Sequence, residues 1–528
     1  MATLASQIPA GGQARVRRRA PLVLIGTSGL VAALLLLPLA FLLLEARQVG
    51  WGEVARLLFR PLTLSLLWNM IRLAVLVTAL AATIGTGAAW CVERTDLPAR
   101  RLLAMLLVLP LAVPDFVVAF GWSSVAPGVS GYWGAVLVMT SGLYPLVYLP
   151  VSASLRGADR SQEDTARTLG MGPWTTFWRV TLRQARPTIL AGCLLVSLAL
   201  LAEYGAFEIL GYQTFTTEIF TEFQVSFNTP AAAALSLVVV LIGLLILFGE
   251  GSLRDRGQQS RAAHNSRRTV YRQRLGLWRW PAIGGLALLL MVALGLPVGV
   301  VAYWVLQGGS STLPQTATLA SATAHTVLYS AAAAAIATLL ALPVALLAVR
   351  TPCRAVRLLE RSTYIVQGLP GLVIALALVF FALHYLPPVY QTSGLLIAAY
   401  AVLYFPLAYV AVRASVLQAP PGLEEVARSL GSSALAVRLR VTLPLVAPGL
   451  AAGFCLVFLS AVTELTATLV LVPTGVETLA TQFWAYTGNV SYGAAAPYAA
   501  AMIAISIVPG ALLGVWFDRR PTSRAGSP

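Results

Sequence analysis

Two carboxylates, Glu203 and Glu464, stand in otherwise apolar stretches at positions 261 residues apart. A charged side chain at bilayer depth costs about 2.5 to 3.5 kcal/mol on insertion scales, so a matched pair requires a cavity or a partner. As hard oxygen donors they suit a hard cation on a translocation path. As structural groups they would each hold a hydrogen bond or ion pair, for instance with Arg72 or a neighbouring tyrosine. Both readings stand, and the repeat, which sets the two near a common axis, favours the path. A second acidic set, Glu163-Asp164 and Glu424-Glu425, keeps the same offset in polar surroundings.

The other reactive side chains point away from catalysis. His325 and His384 are isolated in apolar sequence, where packing or a hydrogen bond between helices is expected rather than metal binding. Cys91, Cys193, Cys353 and Cys455 have neither close pairing nor metal-ligand spacing and read as packing residues. No HExxH, nucleophile elbow or paired catalytic carboxylate motif occurs. All 36 basic residues are arginine, and a P-loop needs a lysine on the nucleotide phosphates, so no Walker A site is present. The chain reads as a non-enzyme.

The elements that must position these residues are membrane helices. Of the 528 residues 58% are hydrophobic and 11% charged, with a mean hydropathy of +0.80, too apolar for a soluble protein of this size. The formal charge of +16 collects at the ends of apolar runs without any aromatic-basic module, which argues for topology and against nucleic acid. The fold class is all-α and polytopic. Twelve spans are expected at about 21–45, 66–92, 101–124, 132–154, 188–211, 231–250, 281–306, 322–349, 357–385, 393–415, 447–472 and 494–516, with kinks or breaks at Pro110, Pro114 and Pro370. The first, after Arg17-Arg18-Arg19, is too long for a signal-peptide core. Basic loops then place both termini in the cytoplasm; the segment 46–65, expected outside, disagrees because it holds Arg47, Arg56 and Arg60.

Six spans make a unit and the unit occurs twice in the same orientation. Residues 69–119 match 325–375 at an offset of 256, pairing Arg94-Thr95 with Arg350-Thr351 and Pro114 with Pro370; from Tyr144-Pro145 against Phe405-Pro406 onward the offset is 261. This predicts a first domain over 1–250, a basic cytoplasmic linker over 251–280 that tethers the halves on an anionic leaflet, and a second domain over 281–528.

Between the fourth and fifth span of each unit lies the second acidic set. Glu163-Asp164-Thr165-Ala166-Arg167-Thr168-Leu169-Gly170 and Glu424-Glu425-Val426-Ala427-Arg428-Ser429-Leu430-Gly431 each read as a short helix ended by a glycine, and a second helix restarts at once. Pro173 suits a first helical turn, Ser432 or Ser433 a cap. Trp174, Trp178 and Leu182 in one copy face Leu435, Leu439 and Leu443 in the other at i, i+4, i+8. The elbows occupy about 158–187 and 419–448.

The spacing acidic-x-Ala-x-x-x-Gly, filled by Asp164, Ala166 and Gly170 and by Glu425, Ala427 and Gly431, with Leu443-Pro444 following in the second copy, resembles the EAA motif of ATP-binding cassette importer permeases. The first copy departs from it in Asp164, Thr165 and Leu182-Arg183. The resemblance implies two fused type I importer transmembrane domains in a bacterial inner membrane. It implies that Glu163, Asp164, Ala166, Gly170, Trp174, Glu424, Glu425, Ala427, Gly431 and Leu435 couple the chain to two copies of a separate ATPase subunit, which carries the ATP and Mg. This chain binds no cofactor of its own, and a periplasmic binding protein delivers the cargo. The stretches Ala202-Glu203-Tyr204-Gly205-Ala206 to Thr217 and Thr463-Glu464-Leu465-Thr466 to Thr481 are similar to those of the ferric iron permeases. Permeases for thiamine and for aminoethylphosphonate share the fused plan, and a secondary transporter of the major facilitator type would need no elbow.

Overall fold

The computed structural model describes residues 22–157, 161–254, 274–308, 314–351 and 354–518. The arginine-rich N-terminus and most of the expected linker lie outside them. Each half is led by a long apolar helix, α1 (Leu22–Val49) or the pair α14 (Arg279–Leu290) and α15 (Leu296–Gln307). In the first half α2 (Trp51–Leu58) intervenes before α3 (Pro61–Arg94), whose counterpart in the second half is α16 (Thr316–Arg350). Among the described residues ten helices are long and apolar enough to cross a membrane, or twelve if two bent pairs each count as one span.

The bends fall at the expected prolines. Helix α4 (Arg100–Leu106) and a 3-10 turn lead through Pro114 into α5 (Asp115–Val125) at 90°, and α17 (Arg354–Gln367) leads through Pro370 into α18 (Gly371–Tyr385) at 109°. A proline gives no amide and disfavours helical geometry in the residue before it, so each run restarts in a new direction.

The fourth span of the first half is α6 (Gly131–Leu143) with α7 (Pro145–Gly157), and that of the second is α19 (Ser393–Gln418). The elbow helices α8 (Ser161–Thr168) and α9 (Pro173–Thr176) follow, then α10 (Leu182–Ala202); the second copy runs α20 (Pro421–Ser429), α21 (Ala434–Val437) and α22 (Leu443–Val462). The fifth spans depart from the sequence expectation, because neither continues as one helix over 188–211 or 447–472. Helix α10 stops at Ala202, and the Glu203 carboxylate accepts from the Ala206 amide at 2.8 Å to open α11 (Gly205–Ile209). Helix α22 stops at Val462, and Glu464 accepts from the Ala467 amide at 2.9 Å to open α23 (Thr466–Leu471). Both carboxylates thus sit at helix breaks, where they satisfy amides that would otherwise be orphaned.

After each break a capped helix, α12 (Phe215–Gln224) or α24 (Leu479–Gly488), precedes the last span, α13 (Thr229–Arg254) or α25 (Tyr492–Asp518). Both caps are threonine boxes, Thr214 with Thr217 and Thr478 with Thr481. Of the three arginines in 46–65 that disturb the topology, Arg60 pairs with Glu222 of α12 at 3.0 Å, so its charge is met within the protein.

The halves exchange helices. Val31, Leu35 and Leu42 of α1 lie in the core built on α16, α18 and α19, whereas Leu286, Ala293 and Val301 of the α14–α15 span, with Tyr498 and Met502 of α25, lie in the core built on α3, α5, α6 and α7. Helix α13 reaches across as well: a Cβ at Gly243 would stand directly on the Gly368 carbonyl oxygen. Gly243→Val should therefore force the halves apart and destabilise by about 1–3 kcal/mol. Gly368→Ala, whose Cβ would meet the Gly243 carbonyl carbon at 3.3 Å, should cost less. Thermal midpoints of the two variants in detergent check the order.

Candidate functional site

Each elbow is built by a Schellman turn. Gly170, at φ +80°, ends α8 with the Met171 amide donating to the Ala166 carbonyl at 3.0 Å and the Gly170 amide to the Arg167 carbonyl at 2.9 Å. Gly431, at φ +82°, ends α20 with Ser432 donating to Ala427 at 3.1 Å and Gly431 to Arg428 at 3.0 Å. Only glycine takes this conformation freely. In the second copy Ser433 accepts from the Ala436 amide at 3.3 Å and caps the restart.

The restarted helix is not the regular one that i, i+4, i+8 spacing predicts. It widens into a π-turn at Phe177–Thr181 and at Arg438–Thr442. One extra residue per turn carries Leu182 and Leu443 off the line of the preceding apolar residues. It also brings the threonine that closes each π-turn back under the first elbow helix. Thr181 donates to Glu163 at 3.0 Å, and Thr442 donates to Glu424 at 2.7 Å.

The same carboxylates take an arginine from the end of the second span. Arg94 reaches Glu163 at 3.0 Å, Arg350 pairs with Glu424, and Arg428 adds a longer contact to Glu424 at 3.6 Å. Glu163 and Glu424 are buried; Asp164 and Glu425, the acids that fill the motif spacing, are exposed. Ala166 is buried and Ala427 half-buried, consistent with close packing below the turn. Burial pushes the Glu424 carboxyl up, but hydrogen bonds from Arg350 and Thr442 and the charges of Arg350 and Arg428 outweigh it and hold it below its ordinary value of 4.5. In the sequence Arg94 and Arg350 stand out only as a matched pair of the repeat. The available signal was that the arginine and the threonine that meet each glutamate recur in both copies.

The outer surface of the elbows carries large apolar side chains. Trp174 and Trp178 are 68% and 63% exposed, Leu435 and Leu439 65% and 55%, and Leu169 and Leu430 exceed 70%. Trp174 stacks on Trp90 of α3 at 6.3 Å, which ties the first knob to the second span.

The intramembrane carboxylates form a separate site. Glu203 and Glu464 lie on facing breaks, since Leu465 packs where a Cβ on Gly205 would go. Glu464 also accepts from the Tyr404 hydroxyl, whereas Arg72 stands elsewhere, donating to Tyr212 at 3.1 Å and lying 4.6 Å from the Tyr132 ring centroid. A third acid, Asp115 of α5, is near enough to act on Glu203 electrostatically, as is Glu464. Asp115 was missed, although it too is an acid in an apolar run and aligns with Gly371. Its carboxylate fills the space above Gly142, and in the other half Gly371 leaves that space to Leu403. Among the described residues no three such side chains converge closely enough to hold a metal ion.

His325 and His384 bond to backbone. Nδ1 of His384 stands 2.9 Å from the Phe380 carbonyl and Nδ1 of His325 3.0 Å from the Glu477 carbonyl; a carbonyl only accepts, so both nitrogens carry the proton.

Residues 81–253 and 345–522 each match the family described as the binding-protein-dependent transport system inner membrane component. The chain belongs to this family. It is an inner-membrane, multi-pass transport subunit with the family domain present twice, and the family works with an ATP-binding cassette ATPase and a binding protein. The Fe(3+)-transport system permease protein FbpB 2 of Haemophilus influenzae is 37% identical over 94% of this chain and 98% of its own length. The sulfate transport system permease protein CysT of Escherichia coli is 30% identical over 44% of this chain and 91% of its own. The molybdenum transport system permease protein ModB of Escherichia coli is 28% identical over 34% and 90%.

A pH test follows from Glu424. A folded value below the unfolded one means that the pairing contributes stability above about pH 4.5 and loses it as pH falls through the folded value. The difference in thermal midpoint between the wild type and Glu424→Gln should be constant from about pH 5 upward and shrink below it.

Proposed function

We propose that the chain supplies two fused transmembrane domains of an ATP-driven ferric iron importer, at 1–250 and 281–528 and facing the same way. The observation that carries the proposal is the doubled elbow, two Schellman knobs with apolar outer faces at matched positions. Two knobs call for two copies of the ATPase subunit, one under each half, with ATP and Mg held there rather than by this chain. A preformed helical knob with exposed aromatic or leucine side chains is the kind of anchor that enters a groove and carries a rigid-body motion. The elbows then mark the cytoplasmic side, and both termini share it with the basic linker.

The iron assignment draws on the similarity to the Haemophilus influenzae ferric permease over nearly the whole chain. Asp115, Glu203 and Glu464 agree with it, because carboxyl oxygens are the hard donors that suit a hard cation. On this reading Glu203 and Glu464 have two duties, capping the breaks and lining the path between the halves.

Two measurements test the proposal. Replacing Gly170 or Gly431 by valine puts a β-branched residue at positive φ, a strain of roughly 1–3 kcal/mol, with no neighbour within 4 Å to add a clash. The membrane fold should stay intact, while co-purification of the ATPase subunit and uptake both fall. For the cargo, ferric iron uptake into proteoliposomes holding the assembled complex should drop in Glu203→Gln with Glu464→Gln at unchanged thermal stability. Uptake of thiamine or aminoethylphosphonate instead of iron would reassign the substrate, and transport with no ATPase present would place the chain among secondary transporters.

A further inference from the structure

The two long second helices link the elbows to the opposite end of the molecule at the same spacing. At its last residue α3 offers Arg94 to Glu163, and α16 offers Arg350 to Glu424. Twenty-five residues earlier in each, Asn69 donates to the Gln213 carbonyl at 3.1 Å and His325 to the Glu477 carbonyl at 3.0 Å. At 1.5 Å per residue the two contacts on each helix are about 37 Å apart. Both carbonyls stand one residue ahead of the threonine that caps α12 or α24. A second bond reinforces each tether, from the Tyr212 hydroxyl to the Asn69 carbonyl at 2.7 Å in one half and from the Leu479 amide to the Thr326 hydroxyl at 2.9 Å in the other.

The capped helices in turn press on the opposite half. Phe223 of α12 meets Phe380 of α18 at 6.0 Å, and Phe483 of α24 meets Phe116 and Phe120 of α5 at 5.3 and 5.4 Å. Helices α5 and α18 are the ones bent at the mid-membrane prolines, and α5 carries Asp115.

We infer that Glu163 and Glu424 are positioning residues that transmit elbow movement, through Arg94 and Arg350, along α3 and α16 to Asn69 and His325 and so to α12 and α24. The inference rests on the reading that the elbows receive the ATPase. The joint has three arms, because the carboxylate also holds Thr181 or Thr442 at the end of the π-turn. The elbow therefore cannot tilt without loading the arginine that ends the long helix. Each of α3 and α16 is a single continuous helix, α16 lacking only the bond that Pro343 cannot donate, and passes that load on as a shift of one element, which is how packed cores convert small displacements into larger rearrangements.

The test uses the complex with its ATPase subunit in proteoliposomes and reads ferric ions taken up per ATP hydrolysed, together with ATPase co-purification and thermal midpoint. Glu163→Gln with Glu424→Gln should retain the ATPase subunit and lower the coupling ratio about tenfold, the middle of the usual range for coupling between sites. Asn69→Ala with His325→Ala, at the far end of the rods, should lower it by a similar factor. The two pairs combined should lower it little further, because the contacts act in series. Exchanging the charges, Arg94→Glu with Glu163→Arg in a background carrying the native second joint, should recover more coupling than Glu163→Arg alone. Thr181→Val with Thr442→Val leaves the charge pair intact and should shift the ratio in the same direction if the glutamine variant is too unstable to assay.

An unchanged ratio in the glutamine and valine variants overturns the inference, as does a loss in the combined variant equal to the product of the two separate losses. A loss that follows the thermal midpoint and is not relieved by the charge exchange assigns the joint to stability alone and also overturns it. A wild-type chain that never co-purifies with an ATPase subunit refutes the underlying reading instead, by a result that none of the variants is needed to obtain.

Discussion

A carboxylate withdrawn from water must be met by a cation and by hydrogen bonds that fill its remaining lone pairs, or it will not stay charged. Glu163 and Glu424 meet that demand with one side chain from the second span and one from the π-turn, drawn from distant parts of the chain. The rest of the elbow depends on this joint. The Schellman glycine fixes the angle inside the knob, and the glutamate fixes the knob to the membrane domain, joined in the first half by the Trp90–Trp174 stack. With Glu163 and Glu424 turned inward, leucine and tryptophan share the outer face with the exposed acids Asp164 and Glu425.

The two halves keep the same joints and fill the space around them differently. Trp90 and Trp174 stack in the first half where the matched positions are Leu346 and Leu435. Asp115 lies over Gly142 where Gly371 lies under Leu403, a large side chain traded across the contact. Backbone-directed bonds, such as those from Asn69 and His325 to the loops ahead of α12 and α24, tolerate a change of side chain because any donor of suitable reach satisfies a carbonyl. Pseudo-symmetry is therefore tight in the hydrogen-bonded frame and loose in packing and charge, so the acidic side chains at the helix breaks come in a set of unequal halves.

Much of this was legible in sequence because it rests on local rules. Apolar length marked the spans, prolines marked the bends, and the glycine after an amphipathic turn marked the elbows. What escaped depends on contacts between remote residues. Glu203 and Glu464 looked like residues inside a helix because the flanking residues are apolar on both sides; their capping of the next short helix uses an amide three positions on, a signal that apolar periodicity masks. The π-turns break no composition rule at all. Arg94 and Arg350 stand out as a matched pair of the repeat, but no local rule points to their partnership with glutamates 69 and 74 positions away. Asp115 was overlooked because its repeat partner is glycine, so a search for matched acids passed over it.

The exchange of first helices has a consequence for the order of assembly. Helix α1 emerges from the ribosome first, yet the surfaces that bury Val31, Leu35 and Leu42 belong to α16, α18 and α19, some three hundred residues downstream. At roughly 5–20 residues per second of synthesis, α1 spends on the order of half a minute in lipid with that face unmatched. The first half thus cannot finish folding when its own six spans are made. Its core closes last, when α25 joins α14 and α15, so a chain truncated before α23 leaves both cores open and presents the membrane with two unfinished surfaces instead of one.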